Sequence, residues 1–277
     1  MDFPLAGKKR GYNRLVFMMC FVWAVVKTAQ QIRKGHQMAL PSSDITTLTT
    51  HMRHLWLTTS TSRSKYGKAS SRTQEQEALA TSDTQRLLGS LPPHAITVYT
   101  DGSALGNPGP AGAGAFICHV PSLGSNPTTH HLLQPLGLAT NNIGEMWGIG
   151  MALSFILDGP LRRLLPLTRV IVLTDSLWTK SALQKGFCKD KFLSELLTEV
   201  QKLIDLIAKA SVSKPKILWI PGHVDTHGNT VADMLAVKGS KLSKKLIAAG
   251  RMISSPPDFS DRVFRYHTYT RSGLHAY

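Results

Sequence analysis

Four acidic residues occupy positions where a lone carboxylate needs a physical explanation. Asp101 and Asp175 each end an apolar run in the same local pattern, Thr-Asp followed by Gly-Ser or by Ser. Glu145 is the single charged residue in NNIGEMWGIGMALSFIL, and Asp233 lies in HVDTHGNTVADMLA. Any one of these acids could be a helix cap or a turn residue. Gathered together, they would repel one another and raise one another's pKa unless a cation lay among them.

The ligand types indicate which cation such a cluster would hold. Carboxylate oxygens without a cysteine or histidine cluster favour Mg²⁺, with Mn²⁺ as a substitute. The three cysteines, Cys20, Cys118 and Cys188, are widely spaced and odd in number, so they form neither a disulfide framework nor a zinc pattern. This cysteine usage favours a reducing, intracellular compartment.

Two predicted strands would place two of the acids at one edge of a sheet. ITVYTD ends at Asp101, and RVIVLTD ends at Asp175. Ligands bind at the carboxyl ends of strands in open α/β sheets, where adjacent strands lie about 4.8 Å apart. If these strands are parallel neighbours, the two carboxylates converge. Gly144 and Gly148 would let the predicted helix over residues 142–157 lie close to the sheet and bring Glu145 to the same place.

The remaining elements define the fold class. Further strands are predicted at residues 111–120, 128–137 and 216–221, with helices at 176–186, 190–209 and from about Asn229 onward. The resulting order, β-β-β-α-β-α-α-β-α, indicates an α/β domain with a mixed sheet covered by helices. We place this domain at residues 95–240, after a basic N-terminal extension (1–94) and before a basic C-terminal tail (241–277).

Four stretches of the predicted domain resemble the successive motifs of the type 1 ribonuclease H family, which includes the ribonuclease H domains of reverse transcriptases and retroelements. They are YTDGSALGNPGPAGAG, TNNIGEMWGIGMAL, VLTDS and WIPGHVDTHGNTVAD. The resemblance implies a ribonuclease H-like fold with a mixed five-stranded sheet, three strands antiparallel and then two parallel. It also implies a metal-dependent endonuclease that hydrolyses the RNA strand of RNA/DNA hybrids and leaves 5′-phosphate and 3′-hydroxyl ends.

The resemblance assigns roles to individual residues. Asp101, Glu145, Asp175 and Asp233 match the acids that hold two divalent ions, and His223 matches a histidine that assists proton transfer or product release. The substrate-binding positions of the family correspond to Gly102, Ser103, Asn107, Thr140, Asn141 and Asn142. Leu177 and Thr230 stand where many relatives have glutamine and glutamate, and neither is a metal ligand.

The excess of basic over acidic residues lies mainly in the N-terminal extension and the C-terminal tail. The chain's net charge of +15 favours a polyanionic partner. Residues 1–94 contain 13 basic and 5 acidic residues, whereas residues 95–240 contain 12 and 10. The lysines around Phe187, in KSALQKGFCKDK, would fit either a short basic protrusion that contacts the hybrid or a solvated helix face. No small-molecule cofactor is indicated.

The N-terminal extension has the composition of a targeting segment. Residues 15–26 are apolar, lie behind four basic residues, and are too few to span a bilayer. A mitochondrial transit peptide would explain them, and so would a buried or partner-binding helix; residues 41–93 are predicted to be mostly linker. A mitochondrial enzyme and a retroelement-derived, nuclear protein both stay open. A non-catalytic nucleic-acid-binding or assembly protein that retains the fold is the alternative to an enzyme.

Overall fold

The computed structural model describes residues 63–122, 124–251, 264–270 and 273–276 of the 277-residue chain. The apolar segment at residues 15–26 lies outside the described residues, so its targeting, membrane or packing role stays a prediction. Within the described part of the chain, no helix has the length and apolar character needed to cross a membrane.

The described strands form one mixed sheet. They are β1 (Ile96–Ala104), β2 (Gly109–His119), β3 (Thr128–Ala139), β4 (Val170–Thr174), β5 (Lys216–Trp219), β6 (His267–Thr270) and β7 (Gly273–Ala276). Their order across the sheet is β5-β4-β1-β2-β3-β6-β7. β1, β2 and β3 are antiparallel neighbours, whereas β4 pairs in parallel with both β1 and β5. The α/β class and the predicted arrangement of the first five strands are therefore confirmed.

The predicted number of strands, five, is wrong, because the C-terminal tail adds two more. β6 pairs with the outer edge of β3 through Leu132 and Leu133, and β7 pairs with β6. Just before β6, Phe264 is 3% exposed, and its ring packs edge-on against Trp147 with the centroids 5.4 Å apart. A Cβ atom at Gly150 would overlap the Phe264 ring, so the glycine leaves the slot that the ring fills. This part of the tail is folded onto the domain.

The helices are α1 (Arg63–Tyr66), α2 (Gln74–Gly89), α3 (Asn141–Asp158), α4 (Leu177–Lys185), α5 (Lys191–Ala210) and α6 (His227–Ala248), with 3₁₀ turns at Ala69–Ser71 and Pro160–Leu167. The linker predicted over residues 41–93 is wrong for α1 and α2. The helix α6 also continues through the predicted boundary at Ser240 as far as Ala248. The folded part of the chain is thus longer at both ends than the predicted domain.

Helices cover both faces of the sheet because side chains alternate along each strand. Ile96 and Val98 belong to the large apolar core that contains α3 and α5, whereas Tyr99 and Phe116 pack with Ala232 of α6. Gly102, next to Asp101, lies against the first turns of α3, and Gly114, which pairs with Asp101, lies against Ala232 and Ala236 of α6. Both helices therefore approach the sheet where the acidic residues lie.

Candidate active site

The pairing of β1 with β4 brings the first two acids together. The strands run parallel with Thr100 opposite Thr174, so the next residues along them, Asp101 and Asp175, lie at the same end of this pair. Both strands are apolar and buried up to this point. The condition for convergence, that the two strands carrying the Thr-Asp patterns are parallel neighbours, is therefore met. β4 ends at Thr174, whereas the predicted end of β1 at Asp101 is wrong: β1 continues to Ala104, because Asp101 still pairs with Gly114 of β2.

Glu145 reaches this edge because glycines let α3 approach the backbone of the sheet. A Cβ atom at Gly102 would overlap the backbone nitrogen of Glu145, and one at Gly144 would lie 2.8 Å from the carbonyl oxygen of Gly112. One at Gly148 would lie 3.1 Å from the carbonyl oxygen of Gly114. Real Cβ contacts are seldom this short, so larger residues would push the helix and its carboxylate away from the sheet.

Asp101, Glu145 and Asp175 form one carboxylate cluster. One oxygen from each lies within 4.8 Å of those of the other two. The Asn141 side-chain amide donates a hydrogen bond to Glu145 Oε1 at 3.5 Å, and the Gly102 N–H donates one to Asp101 Oδ1 at 2.9 Å. Glu145 is 3% exposed, which is rare for a carboxylate.

Burial and mutual repulsion both raise the pKa values of the clustered acids. Burial, followed by repulsion from Asp175 and Asp233, raises the pKa of Asp101 well above the usual range. Burial, followed by the charges of Asp101 and Asp175, does the same to the pKa of Glu145. Burial also raises the pKa of Asp175, although the Asn229 amide and the charge of His223 oppose the rise. A cation among the three groups would remove the repulsion and restore their charged forms.

The donor set fits a hard divalent cation. Three converging carboxylates offer only oxygen ligands, which Mg²⁺ and Mn²⁺ prefer. Asp233, on the second turn of α6, lies outside the group of three acids whose oxygens lie within 4.8 Å of one another. Its charge nevertheless acts on Asp101 and Asp175, so it faces the same site. Its role as a fourth ligand stays a prediction.

His223 lies on an exposed turn between β5 and α6. Its φ of +54° is in the left-handed region, a conformation that costs a non-glycine residue on the order of 1–3 kcal/mol. The preceding residue, Gly222, lies directly against Asp175, because a Cβ atom there would overlap the Oδ2 of that carboxylate. The histidine is thus held beside the acidic cluster by a constrained backbone.

The predicted substrate-binding residues lie on the β1–β2 hairpin and at the start of α3. Asn107 Oδ1 accepts a hydrogen bond from the Asn141 N–H at 3.1 Å, which joins the two segments. Thr140 caps α3 through its hydroxyl, and Asn142 follows in the first turn, partly exposed. Ser103 Oγ lies 3.2 Å from Ser240 Oγ. Gly102 is buried under α3, so the structure gives it a packing role, and its contact with a substrate stays a prediction.

Two further residues hold Asp175 and had no assigned role from sequence. The Asn229 amide donates to Asp175 Oδ2 at 3.5 Å, and the Trp219 indole N–H donates to the Asp175 carbonyl oxygen at 2.8 Å. Both residues lie within the fourth motif, WIPGHVDTHGNTVAD, with Trp219 on β5 and Asn229 in the first turn of α6. Neither adjoins a predicted acid, so the sequence carried no local signal for these contacts.

The raised pKa values predict a characteristic pH dependence of stability without metal. A carboxyl group whose pKa is higher in the folded than in the unfolded state stabilises the folded protein, and this stabilisation is complete at pH values below the unfolded-state pKa. The stabilisation is lost as the pH rises through the folded-state pKa. In EDTA, the free energy of unfolding should therefore fall as pH rises from the ordinary carboxylate range. Glu145→Gln should flatten this fall and stabilise the metal-free protein at pH 8. Denaturant unfolding measured across pH checks both results.

Magnesium and a surface variant provide the controls. Mg²⁺ at a hundred times its dissociation constant should stabilise the wild type by about 2.7 kcal/mol, and Glu145→Gln by less. Glu195→Gln removes the same charge from an exposed position on α5 and should keep the pH dependence of the wild type. The inferred repulsion would be contradicted if, in EDTA, the free energy of unfolding of the wild type rose with pH and rose more steeply than that of Glu145→Gln.

Comparison with known proteins gives consistent matches over this part of the chain. The RNase H family matches residues 93–241. The ribonuclease H of Rickettsia massiliae is 30% identical over 164 residues, covering 55% of this chain and 95% of that protein. The ribonuclease H of Trichodesmium erythraeum is 32% identical over 158 residues, covering 53% and 88%. Among solved structures, LC11-RNase H1, in its crystal structure in complex with RNA/DNA hybrid, is 26% identical in sequence to this chain. The match covers 54% of this chain and 99% of the LC11 chain, with a TM-score of 0.41.

Proposed function

The chain belongs to the ribonuclease H family, and from this premise we propose that it hydrolyses the RNA strand of RNA/DNA hybrids. The observation that carries the proposal is the convergence of Asp101, Glu145 and Asp175 at one edge of the sheet. These buried acids repel one another, and a scaffold would gain nothing from such a cluster. A nuclease would use it, because phosphodiester hydrolysis needs cations at the attacked phosphate.

The proposed cofactor is a pair of Mg²⁺ ions, for which Mn²⁺ could substitute. Bound by Asp101, Glu145 and Asp175, with Asp233 as the proposed fourth ligand, they would activate a water and stabilise the leaving oxygen. The water oxygen bonds to phosphorus while the bond to the 3′ oxygen breaks. The products are a 5′-phosphate and a 3′-hydroxyl end.

The protein's own residues orient this chemistry and carry protons. Asn141 and Gly102 donate hydrogen bonds to Glu145 and Asp101, which restricts the directions of the two carboxylates. Asn229 does the same for Asp175. His223, exposed beside Asp175, is the proposed carrier of the proton that leaves the attacking water or reaches the product.

The proposed substrate groove runs along the β1–β2 hairpin and the start of α3. Ser103, Asn107, Asn141 and Asn142 would contact the minor groove and the 2′-hydroxyls of the RNA strand, and Thr140 a phosphate of the DNA strand. The 2′-hydroxyl distinguishes RNA from DNA at such a site. Three exposed lysines, Lys185 at the end of α4, Lys189 in the linker and Lys191 at the start of α5, would add salt-dependent contacts to phosphates. A mitochondrial or nuclear location remains part of the proposal.

An assay with end-labelled duplexes tests the proposed function. The full chain, incubated with Mg²⁺, should cleave the RNA strand of an RNA/DNA hybrid and leave RNA/RNA and DNA/DNA duplexes of the same sequence intact. EDTA should abolish cleavage, and Mn²⁺ should restore it. Mapping the ends should find 5′-phosphates. Tight hybrid binding without cleavage in either metal would instead favour the non-catalytic alternative.

A further inference from the structure

The segment before β1 contacts the loop that carries the candidate histidine. We call residues 63–89 the upstream segment and residues 220–226, between β5 and α6, the histidine loop. Tyr66 and Ala80 of the upstream segment form a small apolar cluster with Val224 of the loop, and Trp219 packs against it. The upstream segment precedes the residues that match the family, 93–241, so the family's motifs assign it no role.

Arg72 makes the polar contact between the two segments. Its Nη1 donates a hydrogen bond to the Gly222 carbonyl oxygen at 2.7 Å, and its Nε donates one to the Tyr66 carbonyl oxygen at 3.1 Å. The same Nη1 lies 3.2 Å from Glu77 Oε2. The side chain is only 6% exposed, so the guanidinium is committed to these partners and is not a free surface charge.

The contacted backbone is the part of the loop that needs support. Gly222 lies between Arg72 on one side and the Asp175 carboxylate on the other, as the overlap of a Cβ atom with Asp175 Oδ2 demonstrates. The next residue, His223, has the strained φ of +54°. A backbone conformation of this kind persists only where its surroundings determine it.

A second contact anchors the upstream segment at the base of the loop. The rings of Tyr66 and Trp219 lie 5.9 Å apart, and the Trp219 indole donates to the Asp175 carbonyl oxygen. The Tyr66 hydroxyl in turn donates to Asp83 Oδ2 of α2 at 2.9 Å. The upstream segment therefore contacts residues on both sides of His223 in the chain. One of them, Trp219, is itself hydrogen-bonded to the backbone of Asp175.

We propose that Arg72 is a positioning residue that holds the Gly222 backbone and thereby places His223 beside the carboxylate cluster. This proposal rests on the proposed hydrolase function, in which His223 carries a proton. Arg72 itself touches no reacting atom. Its effect on turnover passes through His223, so removing Arg72 and removing His223 should affect the same step.

A double-mutant cycle tests this coupling in the full-length protein. We would measure kcat and KM on a labelled hybrid for the wild type, Arg72→Met, His223→Ala and the double variant. Arg72→Met keeps an unbranched side chain as far as the position of Nε and removes the guanidinium donors. Arg86→Met is the matched control, since Arg86 lies on the same segment with its side chain 64% exposed and pairs with Asp83.

The expected result is a loss of turnover that depends on the histidine. Arg72→Met should lower kcat about tenfold or more, in the range found for residues that orient catalytic groups, with KM changed less than about twofold. In the His223→Ala background, Arg72→Met should lower kcat less than about twofold. Arg72→Lys, which keeps the charge and a donor, should be intermediate, and Arg86→Met should match the wild type. Equal losses from Arg72→Met with and without His223 would overturn the proposal, as would an unchanged kcat.

Amide hydrogen exchange provides a readout that does not depend on activity. Arg72→Met, or Arg72→Lys if the methionine variant does not fold, should exchange faster than the wild type at Thr226, whose N–H donates to the Val224 carbonyl oxygen at 2.7 Å within the histidine loop, and retain protection in β1 and β4. Unchanged exchange in the loop would overturn the proposal. If the wild type cleaves no hybrid, the proposed function fails, and the exchange data still decide whether Arg72 holds the loop.

Discussion

Replacing Asp101 with asparagine is expected to lower the rate of hybrid cleavage by about a thousandfold or more while the protein stays folded. Asparagine has nearly the same shape and keeps an oxygen that can accept the hydrogen bond from the Gly102 N–H. It removes one charged ligand from the cluster, and cations held there would supply several kcal/mol of transition-state stabilisation. Since each 1.36 kcal/mol changes a rate tenfold, losing about 4 kcal/mol corresponds to a thousandfold.

The same substitution should have the opposite effect on stability without metal. Burial and the charges of Asp175 and Asp233 raise the pKa of Asp101, which means that the charged form destabilises the folded protein. Asp101→Asn should therefore unfold at a higher temperature than the wild type in EDTA at pH 8. If Asp101→Asn loses activity but is more stable than the wild type without metal, Asp101 acts as a metal ligand and is not needed for folding.

Single-turnover cleavage and thermal unfolding measure the two effects. Asp205→Asn is the matched control, because Asp205 forms an exposed ion pair with Lys214 on the surface. This control should cleave within about twofold of the wild-type rate. The assignment of Asp101 would be wrong if Asp101→Asn retained more than a tenth of the wild-type rate.

Replacing Phe264 with alanine is expected to lower the free energy of unfolding by about 3–5 kcal/mol, the usual cost of deleting a buried phenylalanine ring. The ring is 3% exposed and packs against Trp147 on α3, the helix that carries Glu145. Its removal would leave a cavity above Gly150. Denaturant unfolding measures the loss, and Leu167→Ala is the control, because Leu167 is 85% exposed and should change stability by less than about 0.5 kcal/mol.

Gly150 provides an internal test of this packing. A helix-interior Gly→Ala substitution ordinarily stabilises a helix by about 1 kcal/mol, but here the added Cβ atom would overlap the Phe264 ring. Gly150→Ala should therefore destabilise the wild type and cost less, or stabilise, in the Phe264→Ala background. Additive effects of the two substitutions would show that the ring does not occupy this slot.

Much of the catalytic domain could be predicted from the sequence, because its signals are local. The apolar runs that end at Asp101 and Asp175 predicted two buried strands, which the structure contains as β1 and β4, although β1 continues beyond Asp101 to Ala104. The lone Glu145 in an apolar helix and the glycines beside it predicted a close approach to the sheet, which the contacts of Gly144 and Gly148 confirm. Each of these predictions needed only the pattern within a single element.

The upstream helix α2 was missed because its buried side carries few apolar residues. Ala80, Asp83 and Thr84 are its buried positions, so the helix has no apolar stripe with a helical period. The local signal available was the capping box, in which Thr73 and Gln76 exchange hydrogen bonds at the start of the helix. The helix is instead held by residues outside it, through the pairs of Asp83 with Lys65 and Tyr66. At its end, Leu87 and Leu88 pack against the apolar cluster that contains Tyr99 and Phe116.

The strands of the tail were missed for a related reason. β6 has four residues, and it is defined by pairing with Leu132 and Leu133, more than a hundred positions earlier in the chain. A strand this short takes its conformation from the edge to which it binds, since isolated short strands are unstable in water.

Residue type and local periodicity can be read along the chain, so they were enough to predict which residues could do chemistry and which elements carry them. The fold set the distances between these residues: oxygens of three of the four acids lie within 4.8 Å of one another, and Asp233 is outside that group. It also decided that Arg72 supports the backbone before His223 and that Phe264 covers α3. These are contacts between residues far apart in sequence, and their distances depend on how helices and strands pack.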